Sequence, residues 1–472
     1  MKRSLLIVFF CASVAHGSPL FAQQTSFTKQ DKQRVLVLTD ITNEPDDQES
    51  MVRFLVYANE YDIEGIVATT SVHLRNKVRQ DKIEELVDAY AKVKSNLDRH
   101  TPGFPAAQYL KSITKSHLPL YGMTGVGEGK DSEGSELIIK AADKADARPL
   151  WISVWGGANC LAQALWKVQQ TRDAEALKKF IARLRVYTIS DQDDSGRWIR
   201  NNFPDLFFIV SPSAESWLEY YRATWTGISG DRHYKNAPMF KFEMVDNPWL
   251  LENIINNHGP LGALYPKLEY IMEGDTPSFI GLINNGLGSA LSPAYGGWGG
   301  RYDFFQSYAE KGKIWTNTIN SIDEVTLEDG KTYASDQATI WRWREAFQND
   351  FAARMDWCIS SEFKQANHNP LVAINGNISK DVVMIKLPAG ETLRLSAKGT
   401  RDADGHAVSY RWFAYKEAGN FKGDVRLSNT SSEQVELLVP AMKDGVSLHL
   451  ILEVKDNGAP ALFSYRRIII SN

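Results

Sequence analysis

The chain has 472 residues, enough for about two to four domains at roughly 100–200 residues each. Hydrophobic residues make up 43% and charged residues 23%, a globular balance that excludes a wholly disordered, collagenous or coiled-coil chain. The formal net charge of −4 offers no basic surface for nucleic acid, which is not expected as a partner.

Lys2 and Arg3 precede an apolar stretch from Leu5 to Val14, and the small residues Ala15, Gly17 and Ala22 follow. That order describes a secretory signal peptide over residues 1–22 and predicts a secreted or periplasmic protein. The stretch is too short to span a bilayer and no later segment reaches eighteen apolar residues, so no transmembrane anchor is expected. Cys160 and Cys358 then remain, either as a bridge permitted by export or as two separate buried thiols.

Residues 34–39 read as a strand buried on both faces. Pro45 with Asp46 and Asp47 opens a helix whose apolar stripe carries Met51, Leu55 and Ala58. A strand follows at 63–68, then a long helix through Ile83, Leu86, Val87 and Tyr90. Strands at 150–155, 184–189 and 206–210 alternate with helical patterns at 161–168 and 174–184. This alternation predicts an α/β domain with a mainly parallel sheet over 30–366. Beyond Asn369 and Pro370 come seven short β-rich pieces, at 371–374, 382–386, 392–397, 409–412, 434–439, 448–454 and 465–470. Their number and spacing predict an immunoglobulin-like β-sandwich over 370–472.

The segment Thr39-Asp40-Ile41-Thr42-Asn43-Glu44-Pro45-Asp46-Asp47 leaves a buried strand and opens a helix. Open α/β sheets bind ligands at such strand ends. Four carboxylates so close together repel unless solvent or a cation neutralises them, and an all-oxygen set favours Ca²⁺ or Mg²⁺ over zinc. Helix N-terminal preference accounts for Asp46 and Asp47 but not for Asp40. Asp191, Gln192, Asp193 and Asp194 leave another strand on the same edge, to bind sugar hydroxyls or a second cation, or to form a solvated turn. Trp298, in Gly-Gly-Trp-Gly-Gly, is read as a sugar-stacking residue and Arg301 as an orienting polar contact. For His73 a lining and a structural role stay open. Asp402-Ala403-Asp404-Gly405 reads as a β-turn or a cation loop, and Trp412, Phe413 and Tyr415 as core.

The 39–47 segment resembles the metal-binding motif of the nucleoside hydrolase family, Asp-x-Asp-Pro-Gly-x-Asp-Asp, lengthened by two residues. Asp40 matches its second aspartate, and Asp46 and Asp47 its terminal pair. Residues 122–127 resemble the family's glycine-rich loop. Residues 155–162 resemble its Gly-x-x-Thr-Asn-x-Ala segment, with Ala158 in place of the threonine whose carbonyl binds calcium. Asp275 is the candidate late aspartate. The resemblance implies Ca²⁺ held by Asp40, Asp47, the Ala158 carbonyl and Asp275, with Asn43, Asp46 and Asn159 binding substrate. Residues 39–47, 189–196, 223–231, 273–279 and 296–302 are similar to a group of secreted relatives labelled cellulose-binding, in which an immunoglobulin-like domain follows the hydrolase-like one.

Nucleoside hydrolases often carry a histidine just before the late aspartate, where this chain has Gly274 preceded by Glu273. An O-glycoside, protonated by a carboxylic acid, therefore fits better than a nucleoside. Glu44 and Glu273 are the candidate acids, and Asp40 the base that takes the proton of water. The expected function is a secreted, calcium-dependent hydrolase of a glycosidic bond in an oligo- or polysaccharide. The alternatives are an N-ribosyl nucleoside hydrolase and a non-catalytic carbohydrate (cellulose)-binding protein. Nucleoside hydrolases are commonly oligomers, so an oligomer stays open.

Overall fold

The computed structural model describes residues 24–28, 31–42, 44–211, 221, 223–235 and 239–472; the leader read at 1–22 and Asn43 lie outside them. A first strand, β1 (Gln24–Thr28), leads away from the large sheet and pairs with the C-terminal part of the chain. The large sheet comprises β2 (Gln33–Thr39), β3 (Tyr61–Ala68), β4 (Thr114–Ser116), β5 (Leu150–Val154), β6 (Leu184–Thr188), β7 (Phe207–Val210), β8 (Asp303–Phe305) and β9 (Ile314–Thr316). Its order is β4-β3-β2-β5-β6-β7-β9-β8, with all pairings parallel except β8 on β9.

Helices cover both faces, which is why β2 reads as an unbroken apolar run. Val35 and Val37 join a core with the helices Asp46–Val56 and Gln80–His100, through residues such as Val52, Phe54, Leu86 and Val87. Leu36 and Leu38 face the other way, into a core with Glu133–Ala142 and Asn159–Thr171, through Ile138, Leu161 and Leu165. The sheet grows outward in one direction from β2 to β4 and in the other from β5 to β7. The point where the direction reverses, between β2 and β5, is where such sheets open a crevice.

After a hairpin of β10 (Asp323–Thr326) and β11 (Thr332–Ser335), the helix Arg344–Ile359 leads to the C-terminal region. There β12 (Val382–Lys386), β13 (Thr392–Ser396), β14 (Val408–Ala414), β15 (Leu427–Ser428), β16 (Gln434–Leu438), β17 (Leu448–Asp456) and β18 (Phe463–Ser471) form two sheets. One has the order β1-β12-β18-β17-β14 and the other β13-β16-β15. Alternate residues such as Leu393, Leu395, Val435 and Leu437 fill one core between them with Trp412, Leu450 and Ile468. This is a β-sandwich completed by a strand from the start of the chain. The piece expected at 371–374 makes only isolated bridges, Leu371 to Arg401 and Ile374 to Asn377, rather than a ladder.

Arg467 on β18 joins the two parts by donating to the carbonyls of Tyr295 (2.8 Å), Gly296 (3.1 Å) and Leu287. Trp343 lies edge-on to Tyr465 and Tyr415. Cys160 and Cys358 are two separate buried thiols. Among the described residues no helix is long and apolar enough to cross a membrane.

Candidate functional site

Asp40 sits one residue beyond β2, at the reversal point, and is buried. Ser71, beyond the end of β3, donates its hydroxyl to Asp40 Oδ2 and accepts the amides of His73 (3.0 Å) and Leu74 (3.1 Å). Asp40 Oδ1 is buried with no hydrogen-bond partner. Gly156, just beyond β5, leaves room for it, since a Cβ there would stand inside contact distance of Asp40 Oδ1. Thr39 accepts the Ile41 amide at 3.1 Å and donates to Asp47 Oδ1, which pins the helix Asp46–Val56 to the strand end.

Asp275 arrives from a stretch remote in sequence, at the mouth of the short helix Pro277–Ile280. One carboxylate oxygen each of Asp46, Asp47 and Asp275 lies within 4.8 Å of the other two. Asp275 Oδ2 is a second buried oxygen without a partner. No Lys or Arg among the described residues forms an ion pair with these three acids or with Asp40. Burial pushes all four carboxyls up, and mutual repulsion adds to it. Asp46 rises to about 8, through burial, Glu44 and Asp40, while Asp47 and Asp275 lie well above the ordinary range. Crowded acids with orphaned buried oxygens, and with no Lys or Arg paired to them among the described residues, are the donor set a hard divalent cation requires. Ca²⁺ or Mg²⁺ fits these residues, and zinc, lacking any thiolate or imidazole in the set, fits poorly.

Asp46 also lines a cleft of about 370 Å³ and is the member of the Asp46–Asp47–Asp275 trio that meets it. Glu44, His73, Trp225, His233 and Tyr234 form its walls, with Glu269 and Tyr270 at the rim. His233 stands edge-on to Tyr234 at 4.7 Å and to Tyr270 at 5.9 Å. Flat ring faces beside carboxylates suit a polyhydroxylated ring, whose C–H faces stack while its hydroxyls bond to acids. His233 and Tyr234, at the end of the short helix Gly230–His233, and Glu269 and Tyr270 escape sequence reasoning because no strand-end signal marks them.

Residues 34–302 match the family described as cellulose-binding Sde182, nucleoside hydrolase-like domain, and residues 392–472 match the C-terminal domain of the cellulose-binding protein Sde0182. The chain belongs to this family. A solved structure from Saccharophagus degradans, described as a nucleoside hydrolase-related hypothetical protein associated with carbohydrate metabolism, is 38% identical, with a TM-score of 0.79. The match covers 93% of this chain and 100% of that one. The type III effector XopQ complexed with adenosine diphosphate ribose is 10% identical with a TM-score of 0.29, over 61% of this chain and 88% of its own, which is too distant to inform the site. No curated protein matches the chain.

Several expected site residues of this Sde182-type domain have other duties. Glu273 is not a free acid: it is fully buried, ion-paired with Arg53, and accepts from Tyr265 (2.8 Å) and Thr276 (2.8 Å). Trp298 is not a stacking platform, because it is 2% exposed and packs edge-on to Phe347. Arg301 is spent on Asp323 (2.7 Å) and the carbonyls of Asn320 and Ile322, so it cannot orient a substrate. Asn159 is fully buried and donates to Thr70 Oγ1 and the Leu120 carbonyl. Asp191 is held by Arg200 through two bonds of 2.7 and 2.8 Å. Gln192 donates to the Trp155 carbonyl at 2.9 Å, and its Oε1 has no partner. Asp193 caps Ser195, keeps Oδ2 unpartnered, and is raised to about 6 mainly by burial. The Ala158 carbonyl accepts the Ala162 amide at 2.9 Å as the first bond of its helix. Asp46, expected to bind substrate, instead shares the acid cluster with Asp47 and Asp275 while still facing the cleft.

Proposed function

We propose that this protein hydrolyses a glycosidic bond in a carbohydrate, at the acidic floor of the aromatic cleft, after export behind its leader. The observation that carries the reading is the juxtaposition of the Asp46–Asp47–Asp275 cluster with a cleft walled by Trp225 and Tyr234. Asp46, Asp47 and Asp275 would hold Ca²⁺, which when bound lowers the pKa of water and engages sugar hydroxyls. Asp40 is the base: Ser71 fixes one oxygen, and the other is free to accept a proton. Glu44, with Glu273 withdrawn by Arg53, is the carboxylic acid that stands on the cleft wall to protonate a departing oxygen. A general acid of this kind contributes about 10²–10⁴-fold. Attack by water in one step predicts inversion at the anomeric carbon.

Two imidazoles, His73 and His233, also face the cleft. The missing histidine before Asp275 is therefore no argument against a nucleoside, and nucleosides belong in the test. The family's description as cellulose-binding favours a second reading, in which the cleft binds sugar without turnover. Incubation with cello-oligosaccharides, aryl glycosides and nucleosides, with and without Ca²⁺, separates these. Released sugar or aglycone that disappears in Asp275→Asn supports the hydrolase. Released base supports the nucleosidase. Saturable sugar binding without any product from the whole panel overturns hydrolysis.

A further inference from the structure

Between β13 and β14 of the sandwich, the turn around Asp402 gathers a second set of metal-ligating groups. One donor atom each of Asp402, Asp404 and His406 lies within 4.8 Å of the other two. Asp402 Oδ1 is occupied, accepting the amides of Asp404 and His406 at 2.9 Å each. Asp402 Oδ2 is different: it is buried, in a side chain of 0% exposure, and has no hydrogen-bond partner. Turn formation explains the first oxygen and leaves the second without a role, although an orphaned carboxylate oxygen is costly to bury. The neighbouring ring nitrogens are imidazole ones, His406 Nδ1 at 3.5 Å from Asp402 and His368 Nδ1 at 3.1 Å from Asp404. No Lys or Arg among the described residues pairs with either acid. Asp456 adds a third carboxylate beside Asp402, and Asn367 Oδ1 lies 3.0 Å from His406 Nδ1.

We infer that Asp402, Asp404 and His406 bind a divalent transition-metal cation, such as Zn²⁺, on the C-terminal sandwich. A set that mixes carboxylate with imidazole favours Zn²⁺ over Ca²⁺, the reverse of the all-oxygen cluster at the sheet mouth. The cation would also act at the join between the two parts of the molecule. Asp404 accepts the His368 amide at 2.8 Å, and His368 Nε2 meets Nδ1 of His100, the last residue of the helix Gln80–His100, at 3.0 Å.

Equilibrium dialysis of the full chain against Zn²⁺ and against Ca²⁺, with bound metal counted by atomic emission, tests this independently of any catalysis. His406→Ala removes a half-exposed side chain, and Asp402→Asn keeps the oxygen that caps the turn, so both variants retain the fold by circular dichroism. The expected result is loss of one Zn²⁺ equivalent, or at least tenfold weaker binding, in each, with that equivalent retained in Asp275→Asn. Zn²⁺ binding unchanged in both turn variants, lost only in Asp275→Asn, or outcompeted at the turn by equimolar Ca²⁺ overturns the assignment.

Discussion

A buried carboxylate becomes an acid or a strut according to what stands beside it, and Glu44 and Glu273 show the two outcomes. Arg53, itself fully buried, holds Glu273 and donates to the Phe347 carbonyl at 3.0 Å. Glu273→Gln would leave that guanidinium without its counter-charge, at about 3–5 kcal/mol of stability. Glu44→Gln, on the cleft wall, should change stability by no more than about 0.5 kcal/mol. Urea unfolding and turnover of the folded variants together check the assignment: turnover should fall about 10²–10⁴-fold in Glu44→Gln and persist in Glu273→Gln. The reverse pattern would return the acid's role to Glu273. The cluster makes a further prediction about pH. Asp46 and Asp193, raised to about 8 and about 6, stay protonated in the folded chain where the unfolded chain has released those protons. Their contribution to stability is full below about pH 4 and is lost as pH rises toward 8. In chelator the urea midpoint should therefore fall over that window, and saturating Ca²⁺ should flatten the fall. Asp40, Asp46 and Asp47 are legible in sequence because so many charges in one short segment need a physical reason. Asn159 and Arg301 are not, because a polar residue gives no sign whether its partner is a ligand or a backbone carbonyl.

At the scale of elements, the sheet is legible wherever burial is two-sided. The apolar runs of β2, β5, β6 and β7 and the helical stripes between them give their own positions, whereas the strand order, and with it the reversal between β2 and β5, is seen only in the structure. The short strands β8 to β11 carry no such pattern, and β1 is held by a partner from the far end of the chain. Gly-Gly-Trp-Gly-Gly misleads for a packing reason. A Cβ on Gly299 would come within 2.6 Å of the Pro277 carbonyl, so these glycines permit close backbone approach, which buries Trp298. Gly156 does comparable work at the site, where the turn after β5 presses on Asp40. Gly156→Ala is therefore expected to lower turnover at least tenfold by displacing the base Asp40, with overall helix content preserved by circular dichroism. Unchanged turnover would show that this close approach does not set the position of Asp40.

The whole molecule is knit more tightly than two consecutive regions of sequence suggest. Asp323, at the start of β10, is fully buried between Arg301 (2.7 Å) and Arg342 (2.8 Å), and Tyr415 of the sandwich donates to it at 2.6 Å. Burial works against the Asp323 anion, but Arg342 and Arg301 outweigh it and hold the carboxyl below its ordinary range. That contribution is present above about pH 4 and is lost as pH falls further, so acid weakens the join from one side while alkali strains the ion-free acid cluster from the other. Arg467 reaches across in the opposite direction to three carbonyls, and β1, from the start of the chain, closes an edge of the sandwich. Releasing one part alone would strip the buried Asp323 of its Tyr415 hydrogen bond and the buried Arg467 of its three carbonyl acceptors. The two parts should therefore unfold together. Tryptophan fluorescence and far-ultraviolet circular dichroism are expected to report one coincident thermal transition, and residues 31–366 expressed alone should be unstable or insoluble. Asp323→Asn should lower the single transition, by a loss of about 3–5 kcal/mol, without splitting it. Two separated transitions in the intact chain, or a stable fragment 31–366, would mean that the sandwich is an appended module and that the polar join is dispensable.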